Sequence, residues 1–136
     1  MRVVLDSSVL IAAHISRAGV CADLLEDVLM EHEWIVSDFI VGEVRRKLTE
    51  KFRFPDAAIA EILDFIATSA EVVVPADLAP EICRDPHGLP VLGTAVAASA
   101  DVLVTVDEDL IDVKSLGAIA VIRPGEFFGW PRDTRD

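Results

Sequence analysis

Short apolar runs alternate along this chain with longer stretches whose apolar positions recur at helical spacing. Arg2-Val3-Val4-Leu5, Glu33-Trp34-Ile35-Val36, Glu71-Val72-Val73-Val74, the stretch 102–106 and Ile119-Ala120-Val121-Ile122 are rich in β-branched residues and read as buried strands. Between them, Cys21, Leu24, Leu25 and Val28 form one apolar face of a helix over 20–32. Ile40, Val41, Val44, Leu48 and Phe52 make the stripe of a second over 38–52, which Ser37-Asp38 can cap. Pro55 and Asp56 open a third, carrying Ile59, Ile62, Leu63 and Ile66. A fourth, from about Pro90 to Ser99, is small and apolar, as suits a helix packed closely on a sheet. This alternation predicts a three-layer α/β/α sandwich around a central parallel sheet of about five strands, with right-handed crossovers and helices on both faces.

Composition fits that picture. At 136 residues, 52% of them hydrophobic, the chain suits one domain with a real core and excludes disorder. The domain is expected to span 1–128, with a polar tail over 129–136 that frays from Trp130. No apolar run approaches the roughly 18 residues a bilayer span needs. Asp6 breaks the first apolar segment after three residues, so no signal peptide is expected either. Cys21 and Cys83 are far apart and share no metal-type spacing, which makes a reduced, cytoplasmic protein the expectation.

A net charge of −12 argues, taken alone, against a nucleic-acid partner. Two features soften that. A site built of carboxylates accounts for part of the acidity, and a metal would neutralise it locally. The positive charge is also clustered: Arg45, Arg46, Lys47, Lys51 and Arg53 are five of the twelve Lys and Arg. Such a cluster reads equally as a solvated helix face or as an RNA-binding patch.

The candidate chemistry lies where strands end. Ligands of open parallel sheets bind at the carboxyl ends of the strands. The first strand runs into Asp6-Ser7-Ser8 and the fourth into Thr105-Val106-Asp107-Glu108-Asp109. Glu43 falls about one turn into the second helix, and Asp85 precedes Pro86 in the loop before the small apolar helix. Asp6, Glu43, Asp85 and Asp107 are the candidate catalytic acids. Asp6, Asp107, Asp85 and Asp109 are the candidate ligands of a hard divalent cation, which takes oxygen donors. Ser7, Ser8 and Thr105 are supporting donors; His87, with Arg45, Arg46 and Lys47, is a candidate RNA contact. Each acid also has a plain reading: Asp6, Asp107 and Asp109 as caps, Glu43 as an exposed helix residue, Asp85 as a turn former. The functional reading rests on their convergence at one sheet edge. No Gly-rich phosphate loop, nucleophile elbow or zinc spacing competes.

At these residues the chain resembles the PIN-domain ribonucleases, above all the toxin components of bacterial toxin–antitoxin pairs. The likeness is carried by Leu5-Asp6-Ser7-Ser8-Val9-Leu10, the Glu43 helix, Arg84-Asp85-Pro86 with its following helix, Thr105-Val106-Asp107-Glu108-Asp109-Leu110 and Pro124-Gly125-Glu126-Phe127-Phe128. It implies Mg²⁺- or Mn²⁺-dependent endonucleolytic cleavage of single-stranded RNA, leaving a 5′-phosphate and a 3′-hydroxyl. It further implies a homodimer and a small antitoxin that blocks the site. Two departures stand out. Gly88 occupies the position where the family usually carries a further acid, so either Asp85 substitutes from three residues away or the metal site is weaker; Ser8 replaces the family's common Asn. The alternative is a weakly active or inactive PIN domain that binds RNA or a partner. A phosphoacceptor domain would need paired acids after the first strand and a Lys ending the fifth, where this chain has Asp6 alone and Arg123.

Overall fold

The structure, a computed structural model, describes residues 1–130; the expected tail beyond Trp130 lies outside the described residues. In chain order the elements are β1 (Arg2–Leu5), α1 (Ser7–Ile15), α2 (Val20–Glu31), β2 (Glu33–Ser37), α3 (Asp38–Glu50), α4 (Asp56–Ser69) and β3 (Glu71–Val73). A single 3-10 turn at Pro80–Ile82 leads to α5 (Gly88–Ala97), β4 (Val102–Val104), α6 (Glu108–Ile111), β5 (Ser115–Leu116), β6 (Ile119–Ile122) and α7 (Pro124–Phe127).

The strands form one mostly parallel sheet in the order β3-β2-β1-β4-β6-β5, with β5 alone antiparallel. The innermost strands are buried on both faces: Val3, Val4, Leu5, Val102, Leu103 and Val104 are inaccessible to solvent. That is why their sequences are continuous apolar runs without polar alternation. The chain builds outward from β1 through β2 to β3, then crosses back by α5 to lay β4 on the other side of β1. The β1/β4 boundary is therefore a point where strand order reverses and the flanking connections diverge, leaving a crevice beyond the strand ends. Leu5 pairs with Val104 in that register, and the Asp6 amide donates to the Val104 carbonyl at 3.0 Å.

Three local expectations change. Ser7–Ile15 is helical although no amphipathic stripe announces it, because Val9, Leu10, Ile11 and Ala13 are all buried and leave little polar face. The fourth strand stops at Val104, and Val106 is half-exposed. The sheet also gains β5, whose two residues pair back onto β6 in a hairpin. No single helix among the described residues is long and apolar enough to cross a membrane.

Candidate functional site

Asp6 and Asp107 end up on one rim because β1 and β4 are neighbours and run parallel. Each also starts a helix. The Asp6 carboxylate accepts the Ser7 amide at 2.7 Å and caps α1, while the Asp107 carboxylate accepts the Asp109 amide at 2.9 Å and caps α6. Thr105 links the two. Its hydroxyl donates to Asp6 Oδ2 at 2.7 Å and accepts the Asp107 amide at 3.0 Å. Ser8 Oγ reaches Asp6 Oδ2 at 3.3 Å. The plain reading of Asp6 and Asp107 as caps is therefore met, and capping leaves both at the rim.

Helix α3 begins at the cap Ser37, whose Oγ accepts the Ile40 amide. One and two turns further on, Glu43 and Lys47 stand four residues apart on the same face. Lys47 Nζ donates to Ser7 Oγ at 3.0 Å, and Ser7 Oγ lies 3.4 Å from Glu43 Oε1. Arg46 pairs with Glu43 Oε2 at 3.5 Å. Lys47 is thus part of the acid cluster as well as of the basic run; its i,i+4 spacing from Glu43 was the available signal.

Asp6, Glu43, Asp85 and Asp107 line one cavity of about 400 Å³, with Arg46 and Lys47 on its wall and His87 at its mouth. Asp85 is fixed by a turn: its Oδ1 accepts the His87 amide at 3.1 Å and lies 3.4 Å from that exposed imidazole. Asp109 does not join the cavity lining. It pairs with Arg84 at 2.9 Å, beside an Arg84–Asp112 pair. Arg45 is exposed on α3.

Electrostatics single out Asp6. Burial pushes its carboxyl above the ordinary value of 3.8, against the lowering effect of the Thr105 and Ser7 hydrogen bonds and of Lys47; Glu43 adds a smaller upward push. A buried carboxylate in that state gains from a cation. The four acids of the cavity offer carboxylate oxygens, the donors a hard divalent ion takes, beside the nitrogens of Arg46, Lys47 and His87. Yet among the described residues no three Asp, Glu, His or Cys side chains stand close enough to hold a metal by themselves. Asp6, Asp85, Asp107 and Asp109 therefore do not form the expected cluster: Asp6 and Asp107 cap helices, Asp85 accepts within its turn and Asp109 pairs with Arg84. The residues suit an ion that takes one or two carboxylates and completes its shell with water and substrate phosphate.

Position 88 is tightly packed on one side. A Cβ added to Gly88 would sit 2.6 Å from Cys83 Sγ and 3.0 Å from Leu110 Cδ2. Gly88 itself lines the acid cavity, but a side chain here requires the Cys83 thiol and Leu110 to shift.

Residues 2–109 match the PIN domain family model. Among solved structures, the fold is similar to a chain in the crystal structure of VapBC2 from Rickettsia felis bound to a DNA fragment from their promoter. The TM-score is 0.64 at 14% identity, covering 90% of this chain and 98% of that one. No curated protein matches the sequence.

Proposed function

Since the chain belongs to the PIN-domain family, whose members are generally nucleases that use divalent metals, we propose that it is a metal-dependent endoribonuclease acting on single-stranded RNA. The observation that carries this reading is the single cavity shared by Asp6, Glu43, Asp85 and Asp107 beyond the β1/β4 switch point. Asp6 and Asp107 would hold Mg²⁺ or Mn²⁺ directly, with Asp85, standing in for the acid absent at Gly88, reaching the ion through water. Such an ion supplies polarisation of a phosphoryl oxygen and a lowered pKa for water. Thr105 and Ser7 orient the Asp6 carboxylate through the hydrogen bonds described. Glu43 takes the proton released by the attacking water on its carboxylate. Attack forms the new P–O bond and breaks the P–O3′ bond, leaving a 5′-phosphate, and the departing 3′-oxyanion takes a proton from solvent water to become the 3′-hydroxyl. Lys47 offsets the charge gathered on the phosphate. Asp109, tied to Arg84, acts by supporting the Asp107 turn.

The likeness of the fold to VapBC2 is in keeping with a toxin role and an antitoxin partner covering the cavity; a homodimeric state and a cytoplasmic setting belong to the same proposal and rest on the sequence. Incubation of labelled single-stranded RNA with the protein tests the core of the proposal. Cleavage is expected with Mg²⁺ or Mn²⁺, and is expected to vanish with EDTA and to fall at least 100-fold in Asp107→Ala, the low end of what one positioned charge contributes. Cleavage that survives EDTA overturns it. The lack of an acid at Gly88 and the net charge of −12 favour one second reading, a PIN domain that binds RNA or a partner and turns over weakly. Binding without measurable cleavage in the same assay is its signature.

A further inference from the structure

Next to the acid cavity runs a second groove of about 310 Å³ between α1 and the end of α3. Its floor is apolar: Ile11, Ala12, Ile15 and Phe52, of which Ile15 is 48% and Phe52 39% exposed. Its rim carries Lys47 and Lys51, one helical turn apart. The Lys51 ammonium lies 5.4 Å from the Phe52 ring centroid, so an aromatic surface and a cation are presented together. The groove adjoins the cavity. Lys47 lines both, and Ser8 on the groove wall is one hydrogen bond from Asp6.

Charge separates the possible occupants. On a chain of net charge −12, Arg2, Arg84 and Arg123 are each paired with carboxylates. Among the described residues Lys51 makes no such pair, and it sits in the run that holds five of the twelve cations. An exposed, uncompensated cation beside an exposed aromatic ring matches the two features of single-stranded nucleic acid, a phosphate and a base with an open π-face.

We infer that this groove is a nucleotide subsite for the strand whose scissile phosphate enters the acid cavity. One base stacks on Phe52 against Ile15, and its phosphate lies between Lys47 and Lys51. The inference rests on the ribonuclease reading for the identity of the strand, but its test does not need cleavage. Binding of a short, fluorescently labelled single-stranded oligoribonucleotide is measured by anisotropy in EDTA across a series of salt concentrations. Phe52→Ala is expected to weaken binding about tenfold at every salt concentration with the salt slope unchanged. Phe52→Trp should keep wild-type affinity. Lys51→Ala should lower the slope of log affinity against log salt by about one.

Wild-type affinity and slope in both Phe52→Ala and Lys51→Ala overturn the subsite, and so does a wild type that binds no RNA. A groove that serves a protein segment instead gives that same unchanged RNA binding. Phe52 and Lys51 are exposed, so folding is checked by a matching thermal melt; were Phe52→Ala to melt early, the Lys51→Ala slope decides alone. Parallel cleavage assays with Mg²⁺ keep the two readings apart. Phe52-dependent binding without cleavage leaves the subsite standing and sinks the nuclease, whereas cleavage with variant-independent binding sinks the subsite only.

Discussion

Asp6 works against the stability of the fold that holds it. Its carboxyl is raised in the folded chain, so between the unfolded and folded pKa values the native state keeps a proton that the unfolded state has released. Stability therefore falls as pH rises through that interval; the penalty is absent below the ordinary carboxylate range and complete above the folded value. Asp6→Asn, which cannot ionise, is expected to melt higher than wild type in metal-free buffer at about pH 7 and to lose that lead near pH 3. Adding Mn²⁺ should raise the wild-type melting temperature and leave the variant's unchanged. A variant that melts lower at neutral pH would contradict the sign. Position 88 yields a second residue-level expectation. Gly88→Asp alone should lose about 1–3 kcal/mol from overpacking against Cys83 and Leu110. Combined with Cys83→Ala, most of that loss should return in urea melts and the cleavage rate should rise.

Element boundaries depend on contacts between backbones as much as on side chains. Helix α5 lies against the loop after β3 so closely that a Cβ on Gly93 would meet the Ala76 carbonyl oxygen at 2.3 Å, where the Ala76 amide already donates to the Gly93 carbonyl. Backbone cannot swing aside as a rotamer can. Gly93→Ala is expected to cost at least about 1–3 kcal/mol in denaturant melts, despite adding a helix-favouring residue. This contact also explains what the sequence could and could not reveal. The inner strands were legible because burial on both faces writes them as uninterrupted Val, Leu and Ile; β3, expected to be buried, is an edge strand whose Val72 is 51% exposed, and only its β-branched run marked it. Helices α2 to α4 were legible because one face is wet. Helix α1 was not, since it is covered nearly all round and its period is erased. Strand β5 exists only as the return of a hairpin, and two residues carry no pattern. At the site, Asp6 and Asp107 could be read from strand ends, because strand order fixes where those ends go. That Asp109 would turn to Arg84, and Lys47 toward Ser7, depends on packing between segments far apart in sequence.

For the molecule as a whole, an excess of twelve negative charges sets folding and RNA binding against each other in their response to salt. Self-repulsion loosens the compact state and is screened as ionic strength rises, whereas attraction between the α3 cations and phosphate is weakened by the same screening. Raising NaCl from about 0.02 M to about 0.3 M, across which the Debye length shrinks severalfold, should raise the melting temperature while lowering RNA affinity. Parallel trends in calorimetry and anisotropy would rule this out. The double duty of two acids has a consequence for lineages of such domains. Asp6 and Asp107 each begin a helix, a task that outlasts the chemistry and that Asn can share; their presence in a sequence certifies no turnover. Glu43 caps nothing, and it is there that abandonment of the chemistry would first be written.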